Sequence, residues 1–182
     1  MKYLILQNPG HNRVYYNLSD KLAEAELQIA SKRLRSEVSK VEIEMIEGIR
    51  YLSIETADIL DEEDLKTLSR LSFIFALYQF DEDSKCLKPI QRVDYEYLDQ
   101  KISSLLKYQG KTNELFTKLM VNVALLSSDF NYDDEISLLD PVAGKGTTLF
   151  EALVYGFNAY GIEMEKGAVH ESATFFKKYL ET

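Results

Sequence analysis

The sequence is poor in the residues from which disulfides and metal centres are built. It contains one cysteine, Cys86, and two histidines, His11 and His170. An internal disulfide is therefore excluded, and no spacing typical of a zinc site is present. We predict no bound metal, and we interpret Cys86 as an incidental thiol in a linker rather than as a nucleophile.

Long apolar stretches are also missing. The first apolar run, in residues 3–6, is too short for a signal peptide, and no run approaches the roughly 20 apolar residues of a transmembrane helix. The composition is ordinary for a globular protein, with 46% hydrophobic and 28% charged residues. We therefore expect a cytoplasmic protein without a membrane partner.

Positive charge is scarce. Lys and Arg total 21 against 30 Asp and Glu, and the chain from Tyr108 onward has 6 Lys, no Arg and 11 acidic residues. Nucleic-acid binding takes much of its affinity from Lys and Arg contacts to phosphates, so this chain alone is expected to bind nucleic acid poorly. One basic cluster occurs in residues 32–40, and the solvated end of a helix explains it.

What the sequence does contain is a glycine-rich turn at residues 140–148, Asp-Pro-Val-Ala-Gly-Lys-Gly-Thr-Thr. The apolar residues 136–139 before it suit a buried strand, and the helix formers of residues 149–154 follow two threonines that are able to cap a helix. Two glycines let the backbone approach a ligand, and the first amides of the helix point into the same space. The pattern predicts a nucleotide-like ligand beyond the strand.

An acid at the end of the next predicted strand supports this site. Residues 157–162 form that strand and Glu163 follows it, which is where a ribose-binding acid lies in dinucleotide folds. Two known motifs do not fit. The NAD fingerprint needs a third glycine where Leu149 stands, and a P-loop needs Ser or Thr directly after Lys145, where Gly146 stands. A glycine turn without a ligand is the competing interpretation, which the agreement of strand, turn, helix and acid disfavours.

The glycine turn resembles motif I of S-adenosylmethionine-dependent methyltransferases, in the Asp-Pro-x-x-Gly-x-Gly-Thr-Thr form of enzymes that methylate exocyclic amino groups of bases in RNA or DNA. The resemblance continues through residues 155–163, which match the second strand of that family and its ribose-binding acid. Residues 110–120 resemble the segment before motif I, which lies against the methionine end of the cofactor. The resemblance implies S-adenosylmethionine as the cofactor. The residues that it assigns to cofactor binding are Lys111, Thr112, Phe116, Asp140, Pro141, Ala143, Gly144, Gly146, Thr147, Thr148 and Glu163.

The catalytic segment of that family is Asn or Asp followed by Pro-Pro and an aromatic residue, and it does not follow the glycine turn in this chain. Residues 8–11, Asn-Pro-Gly-His, are the candidate for a permuted copy. They lack the second proline and the aromatic residue, so we interpret them as a turn. The catalytic residues are therefore unknown, and we expect this chain to carry only the first two strands of the methyltransferase sheet.

The first half of the chain predicts a separate α+β arrangement. The predicted elements are strands at residues 3–7, 41–46, 49–54 and 73–80, a hairpin turn at residues 47–48, and helices at residues 19–34 and from Asp61. The order is that of the split ferredoxin-like pattern. In arrangement it resembles the ferredoxin-like amino-terminal domain of THUMP-containing RNA methyltransferases, and no functional residue is carried over from that likeness.

We place the domain boundary in the polar link of residues 81–91, which gives a ferredoxin-like domain at 1–88 and a second domain at 89–182. The second domain is predicted to join a helical linker, with helices at residues 95–107 and from Asn113, to the first part of a Rossmann-like domain. The predicted fold class is therefore α/β. An incomplete sheet leaves an unpaired strand edge, which predicts a homodimer or aggregation.

Three functions remain open on the sequence alone. The first is the cofactor-binding part of a nucleic-acid amino methyltransferase, with RNA favoured over DNA and the nucleic acid bound through other regions. The second is a short cofactor-binding or interaction module. The third is an NAD-type nucleotide-binding domain. Binding of S-adenosylmethionine without NAD separates the first two from the third.

Overall fold

The computed structural model describes residues 1–8 and 13–181, with the backbone alone for residues 13–18. Over these residues the chain is a mixed α/β protein with seven strands and six helices. The strands are β1 (Lys2–Gln7), β2 (Val38–Ile46), β3 (Ile49–Thr56), β4 (Ile74–Asp81), β5 (Cys86–Ile90), β6 (Ser137–Asp140) and β7 (Asn158–Gly161). The helices are α1 (Arg13–Ser31), α2 (Glu62–Ser69), α3 (Ile102–Leu105), α4 (Glu114–Leu126), α5 (Thr147–Val154) and α6 (Lys166–Leu180). The chain divides into two compact units, Met1–Tyr95 and Glu96–Thr182.

The first unit is built on a five-stranded antiparallel sheet with the strand order β2-β3-β1-β4-β5. Its central strand β1 carries Tyr3, Leu4 and Ile5, and all three side chains are buried. The hydroxyl of Tyr3 is the one polar side-chain group among them, and it accepts a hydrogen bond from the Leu60 N–H at 3.1 Å. The core of this unit therefore lies along β1.

Glu47 and Gly48 form the two-residue turn between β2 and β3. Their φ angles are +49° and +78°, and Ile46 pairs with Ile49 across the turn. A two-residue hairpin of this kind needs left-handed angles at both positions, and glycine adopts them without strain. The predicted hairpin is confirmed.

Helix α2 begins where its sequence predicts. Asp61 is the N-cap, and its Oδ1 accepts a hydrogen bond from the Asp64 N–H at 2.9 Å. The buried Asp64 carboxylate in turn accepts hydrogen bonds from the backbone N–H groups of Arg35 at 2.7 Å and Ser36 at 3.3 Å. The start of α2 therefore also fixes the chain that leads into β2.

Two details of this unit differ from what the sequence predicts, and a third prediction falls largely outside the described residues. Helix α1 begins at Arg13, ahead of the start predicted at residue 19. The expected polar link at residues 81–91 contains β5, which pairs with β4. As an edge strand, β5 is mostly exposed and its sequence has no apolar alternation. The turn predicted at residues 8–11 lies outside the described residues, except for Asn8.

The second unit contains a two-stranded parallel sheet, in which β6 lies beside β7 and α5 connects them. Leu138 pairs with Ala159, and Leu139 pairs with Tyr160. Parallel strands require a crossover connection, and α5 is that connection. One side of α5 carries buried apolar residues. Leu139 and Tyr160 remain 59% and 58% exposed, so one face of the sheet is open.

The helices ahead of this sheet follow the sequence in part. Helix α4 has the predicted cap, because Asn113 Oδ1 accepts a hydrogen bond from the Phe116 N–H at 3.0 Å. The helix expected at residues 95–107 is reduced to the 4 residues of α3. Just before it, the Tyr97 N–H donates to the carbonyl of Val154 in α5 at 2.8 Å, so a tertiary hydrogen bond takes the place of a helical one.

The described residues contain neither a membrane-spanning helix nor a metal-binding cluster of side chains. None of the helices combines the length and the apolar character needed to cross a bilayer. Within residues 1–8 and 13–181, no group of three or more His, Cys, Asp or Glu side chains is arranged to hold a metal ion.

Candidate functional site

The glycine turn leaves β6 and enters α5 with its backbone tied to the neighbouring strand. The carbonyl of Asp140 accepts a hydrogen bond from the Ile162 N–H, and the carbonyl of Ile162 accepts one from the Ala143 N–H, both at 2.9 Å. Asp140 Oδ1 accepts from the Val142 N–H at 3.0 Å. The Gly146 N–H donates to the carbonyl of Ala143 at 2.8 Å and closes the turn. The turn therefore lies at the carboxyl end of both strands.

Both glycines of the turn have left-handed backbone angles, with φ of +54° at Gly144 and +86° at Gly146. A Cβ added at Gly144 meets no atom within 4 Å, so the space beside it is open. A Cβ added at Gly146 would lie 2.9 Å from Ser172 Oγ in α6, so glycine is needed there for its angle and for close packing. Gly146 is also the N-cap of α5. The predicted threonine cap is wrong, because Thr147 and Thr148 lie in the first helical turn.

Glu163 follows β7, and its carboxylate points into the turn. Oε2 accepts a hydrogen bond from the Gly144 N–H and Oε1 accepts one from the Glu165 N–H, each at 2.8 Å. These amides, that of Glu165 first and that of Gly144 second, lower the pKa of the Glu163 carboxyl. The carboxylate is therefore charged at neutral pH, and each oxygen retains the capacity to accept a further hydrogen bond from a ligand hydroxyl.

A groove of about 330 Å³ opens between α5, β7 and α6. Four of the predicted site residues, Ala143, Gly144, Gly146 and Glu163, line this groove together. The apolar part of its wall is formed mainly by Leu149, Phe150, Leu153, Val169 and Phe176. Its volume is at the lower end of the range for small-molecule sites.

Leu149 occupies the position of the third glycine in the NAD fingerprint, and Gly161 in β7 makes room for it. A Cβ added at Gly161 would lie 2.7 Å from Leu149 Cδ1 and 2.8 Å from Ala143 Cβ. In the fingerprint, the third glycine allows close packing of the helix on the strand. Here the glycine that allows close packing is Gly161 in the strand. The helix can therefore carry Leu149 at the position where the fingerprint has its third glycine.

The predicted site residues ahead of the glycine turn do not line the groove. Lys111 Nζ donates to the carbonyl of Ser103 and to Glu114 Oε1, each at 2.6 Å, and its side chain is only 10% exposed. Thr112 is exposed, and Phe116 is half-buried in the first turn of α4. In this arrangement the Lys111 ammonium joins α3 to the start of α4.

Two further predicted residues lie at the ends of the glycine turn. Pro141 is exposed directly after β6, and Thr148 is half-buried in α5. The first N–H groups of α5, like those of any helix, have no carbonyl partner within the helix, and they give its start a partial positive charge.

Tyr108 links the segment before α4 to the glycine turn, and the sequence did not predict this contact. Its hydroxyl lies 2.9 Å from Oγ1 of the buried Thr147, 39 positions along the chain. Lys145 Nζ lies 5.0 Å from the centre of the Tyr108 ring and 2.5 Å from Glu171 Oε2 in α6. The available signal was an aromatic residue shortly before Gly110, and no local pattern indicates its distant partner.

A buried polar network connects α5 to the elements ahead of it. The fully buried Glu151 accepts a hydrogen bond through Oε1 from Gln100 Nε2 at 3.1 Å, and Gln100 Oε1 accepts one from Lys118 Nζ at 3.0 Å. Among the described residues, Glu151 Oε2 has no hydrogen-bond partner. Burial raises the pKa of Glu151 to about 7, against the attraction of Lys118, which lowers it.

A larger cleft, of about 700 Å³, lies in the first unit at the end of the antiparallel sheet. Its lining includes Lys2, Glu55, Asp81 and Lys88 and none of the predicted site residues. The Lys2 ammonium is already paired with Glu44 Oε2 at 2.9 Å. The charges of this cleft are therefore partly satisfied within the unit.

The glycine turn, the acid beyond β7 and the groove between them are thus the strongest candidate for a ligand site. In comparisons with known proteins, no protein-family model matches the chain and no curated protein sequence matches it.

Proposed function

We propose that the chain is the cofactor-binding part of an S-adenosylmethionine-dependent methyltransferase that acts on an exocyclic amino group of a base in RNA or DNA. The observation that carries this proposal is the position of Glu163 against the glycine turn. Its carboxylate lies 2.8 Å from the Gly144 N–H, beside the open space at Gly144. A charged acid next to a glycine backbone with open space beside it is suited to a ribose diol and its adenosyl group.

The residues of the site fit this cofactor in chemical terms. Glu163 would accept hydrogen bonds from the ribose hydroxyls, and Gly144 leaves room for close approach of the ligand. S-adenosylmethionine supplies an activated methyl group on a sulfonium, so the protein has to orient the methyl group and match its charge. By resemblance Thr112 and Phe116 belong to the methionine end, whereas Lys111 is already held by Glu114. No described residue is assigned a catalytic role.

The architecture of both units supports the same family. In the first unit, the strand order β2-β3-β1-β4, with helices after β1 and after β3, supports a ferredoxin-like domain to which β5 adds an edge strand. In the second unit, the parallel β6-α5-β7 connection supports the first part of a Rossmann-like domain. A ferredoxin-like domain ahead of such a domain resembles THUMP-containing RNA methyltransferases, which favours RNA over DNA.

The charge of the chain indicates how a nucleic-acid substrate would be bound. The net charge of the chain is −9. Near the candidate site, the ammonium groups of Lys111 and Lys145 are paired with Glu114 and Glu171. Phosphate contacts need available cations, so we propose that the nucleic acid is held mainly through other regions.

Isothermal titration calorimetry tests the proposal with three ligands. S-adenosylmethionine and its demethylated product S-adenosylhomocysteine are expected to bind, and NAD is not. Binding of NAD alone would support an NAD-type domain instead. Binding of none of the three would contradict the proposal and favour an interaction module.

Two variants locate the site. Gly144→Val fills the open space and Glu163→Ala removes the acid, so each is expected to weaken S-adenosylmethionine binding by about tenfold or more. Gly48→Val is the control for the first, because Gly48 also has a left-handed angle and open space but lies in the hairpin of the first unit. Glu165→Ala, at an exposed acid, is the control for the second. Unchanged affinity in both site variants would show that the site is wrong.

A further inference from the structure

The glycine turn is held from two sides. Toward β7, residues 162–163 bind its first half through backbone and carboxylate hydrogen bonds. On the other side, Tyr108 contacts its second half, with its hydroxyl at Thr147 Oγ1 and its ring beside the Lys145 ammonium. Since Tyr108 lies between α3 and α4, the turn joins segments that are far apart in the sequence.

Tyr108 and Glu171 both contact the second half of the turn from outside it. Gly144 and Gly146 both have positive φ, and glycine loses more backbone freedom on ordering than any other residue. The Gly146 N–H bonds within the turn itself, to Ala143, and so does not tie the turn to another segment. Thr147 is buried, and a buried hydroxyl is stabilised by a partner, which Tyr108 provides.

We propose that Tyr108 is a positioning residue that orders the glycine turn before the adenosyl ligand binds. This inference rests on the proposed function. The hydroxyl contact fixes the first residue of α5, and the ring holds Lys145, whose ammonium also pairs with Glu171 of α6. A turn that is already ordered loses less conformational freedom on binding, so the affinity for the ligand is higher.

Three variants isolate the hydroxyl contact. Tyr108→Phe removes the hydroxyl and keeps the ring, and Thr147→Val removes its partner. Tyr97→Phe is the matched control, because Tyr97 is an exposed tyrosine in the same unit. Tyr108→Phe and Thr147→Val are each expected to weaken S-adenosylmethionine binding about three- to tenfold, as the loss of one hydrogen bond implies. The double variant should be no weaker than either single variant, and Tyr97→Phe should stay near wild type.

Hydrogen exchange in the free protein separates positioning from a general loss of stability. The amides of Gly144 and Gly146 are hydrogen-bonded to Glu163 and Ala143. In Tyr108→Phe these two amides should exchange faster, while amides in the middle of α4 keep their wild-type rates. Equal acceleration in α4 would indicate a structural role alone and would overturn the inference.

The calorimetric outcomes distinguish the two proposals. If wild type binds S-adenosylmethionine and Tyr108→Phe binds it equally well, the role of Tyr108 is refuted and the proposed function stands. Additive effects in the double variant would also refute that role. If wild type does not bind S-adenosylmethionine, the proposed function fails and this inference fails with it.

Discussion

Replacing Glu151 with glutamine is expected to remove a pH dependence from the stability of the second unit. The carboxyl is fully buried in α5 and faces charged and polar groups from three elements. These groups are Lys118 in α4, Ser103 in α3, and Gln100 and Glu96 in the segment ahead of α3. Glutamine has nearly the same shape and cannot ionise, so the substitution tests the charge alone.

The size of the effect follows from the pKa. In the folded protein the pKa of Glu151 is raised from 4.5 to about 7, so the folded state binds this proton more tightly than the unfolded chain. The contribution to stability is therefore complete below pH 4.5 and is lost as the pH rises to about 7. One pKa unit corresponds to about 1.4 kcal/mol, which gives a total loss of about 3 kcal/mol.

Urea unfolding followed by circular dichroism at pH 5, 6, 7 and 8 measures the free energy of unfolding of both proteins. Groups that the two proteins share cancel in the difference between them. Relative to wild type, Glu151→Gln should gain about 2.5 kcal/mol between pH 5 and pH 8.

A control variant and a second measurement accompany this experiment. Glu165→Gln, at an exposed acid of the same unit, should show no such gain. If the two units unfold separately, exchange of the α5 amides reports on the second unit. A difference between Glu151→Gln and wild type that does not change with pH would refute the reasoning, and so would a gain toward acid pH.

Further predictions concern the cap of α2, the packing of α5 and the open sheet. Asp61→Ala should lower the free energy of unfolding by about 1 kcal/mol, measured with urea, and Asp61→Asn should largely restore it. Gly161→Ala places a Cβ 2.7 Å from Leu149 Cδ1, so it should lower the melting temperature, and by less in a Leu149→Ala background. The exposed Leu139 and Tyr160 predict self-association, so light scattering should give a mass that rises with concentration and falls in Tyr160→Lys. A constant monomer mass would contradict that last prediction.

Local backbone chemistry made several elements predictable from the sequence. The turn at Glu47 and Gly48 requires positive φ, and the N-caps Asp61 and Asn113 satisfy the first amides of their helices. Each of these features involves residues that are close together in the chain. For this reason the sequence pattern alone located them.

Elements for which the local pattern gives no signal, or a misleading one, were missed or misplaced. The strand β5 is an exposed edge whose ladder with β4 gives no apolar pattern. The helix expected at residues 95–107 is shortened where the Tyr97 N–H bonds to Val154. At Tyr97 a hydrogen bond to a distant residue overrides the helix that the local pattern predicts, and at β5 the ladder to the neighbouring strand forms without an apolar pattern to announce it.

The candidate site also combines features that the sequence predicts with features that it does not predict. The glycine turn and the acid after the next strand are visible as a spacing in the sequence. The role of Gly161, which makes room for Leu149, and the contact of Tyr108 with Thr147 depend on packing between separate segments. Such contacts leave no periodic signal, so only the folded structure reveals them.

The most direct test of the central claim is an NMR titration of the ¹⁵N-labelled chain with S-adenosylmethionine. Amide shifts should be concentrated at Gly144, Gly146 and Glu163, while the resonances of Met1–Tyr95 stay unchanged. If saturating ligand moves no resonance, or moves only those of Met1–Tyr95, the glycine turn is not the site of an adenosyl cofactor.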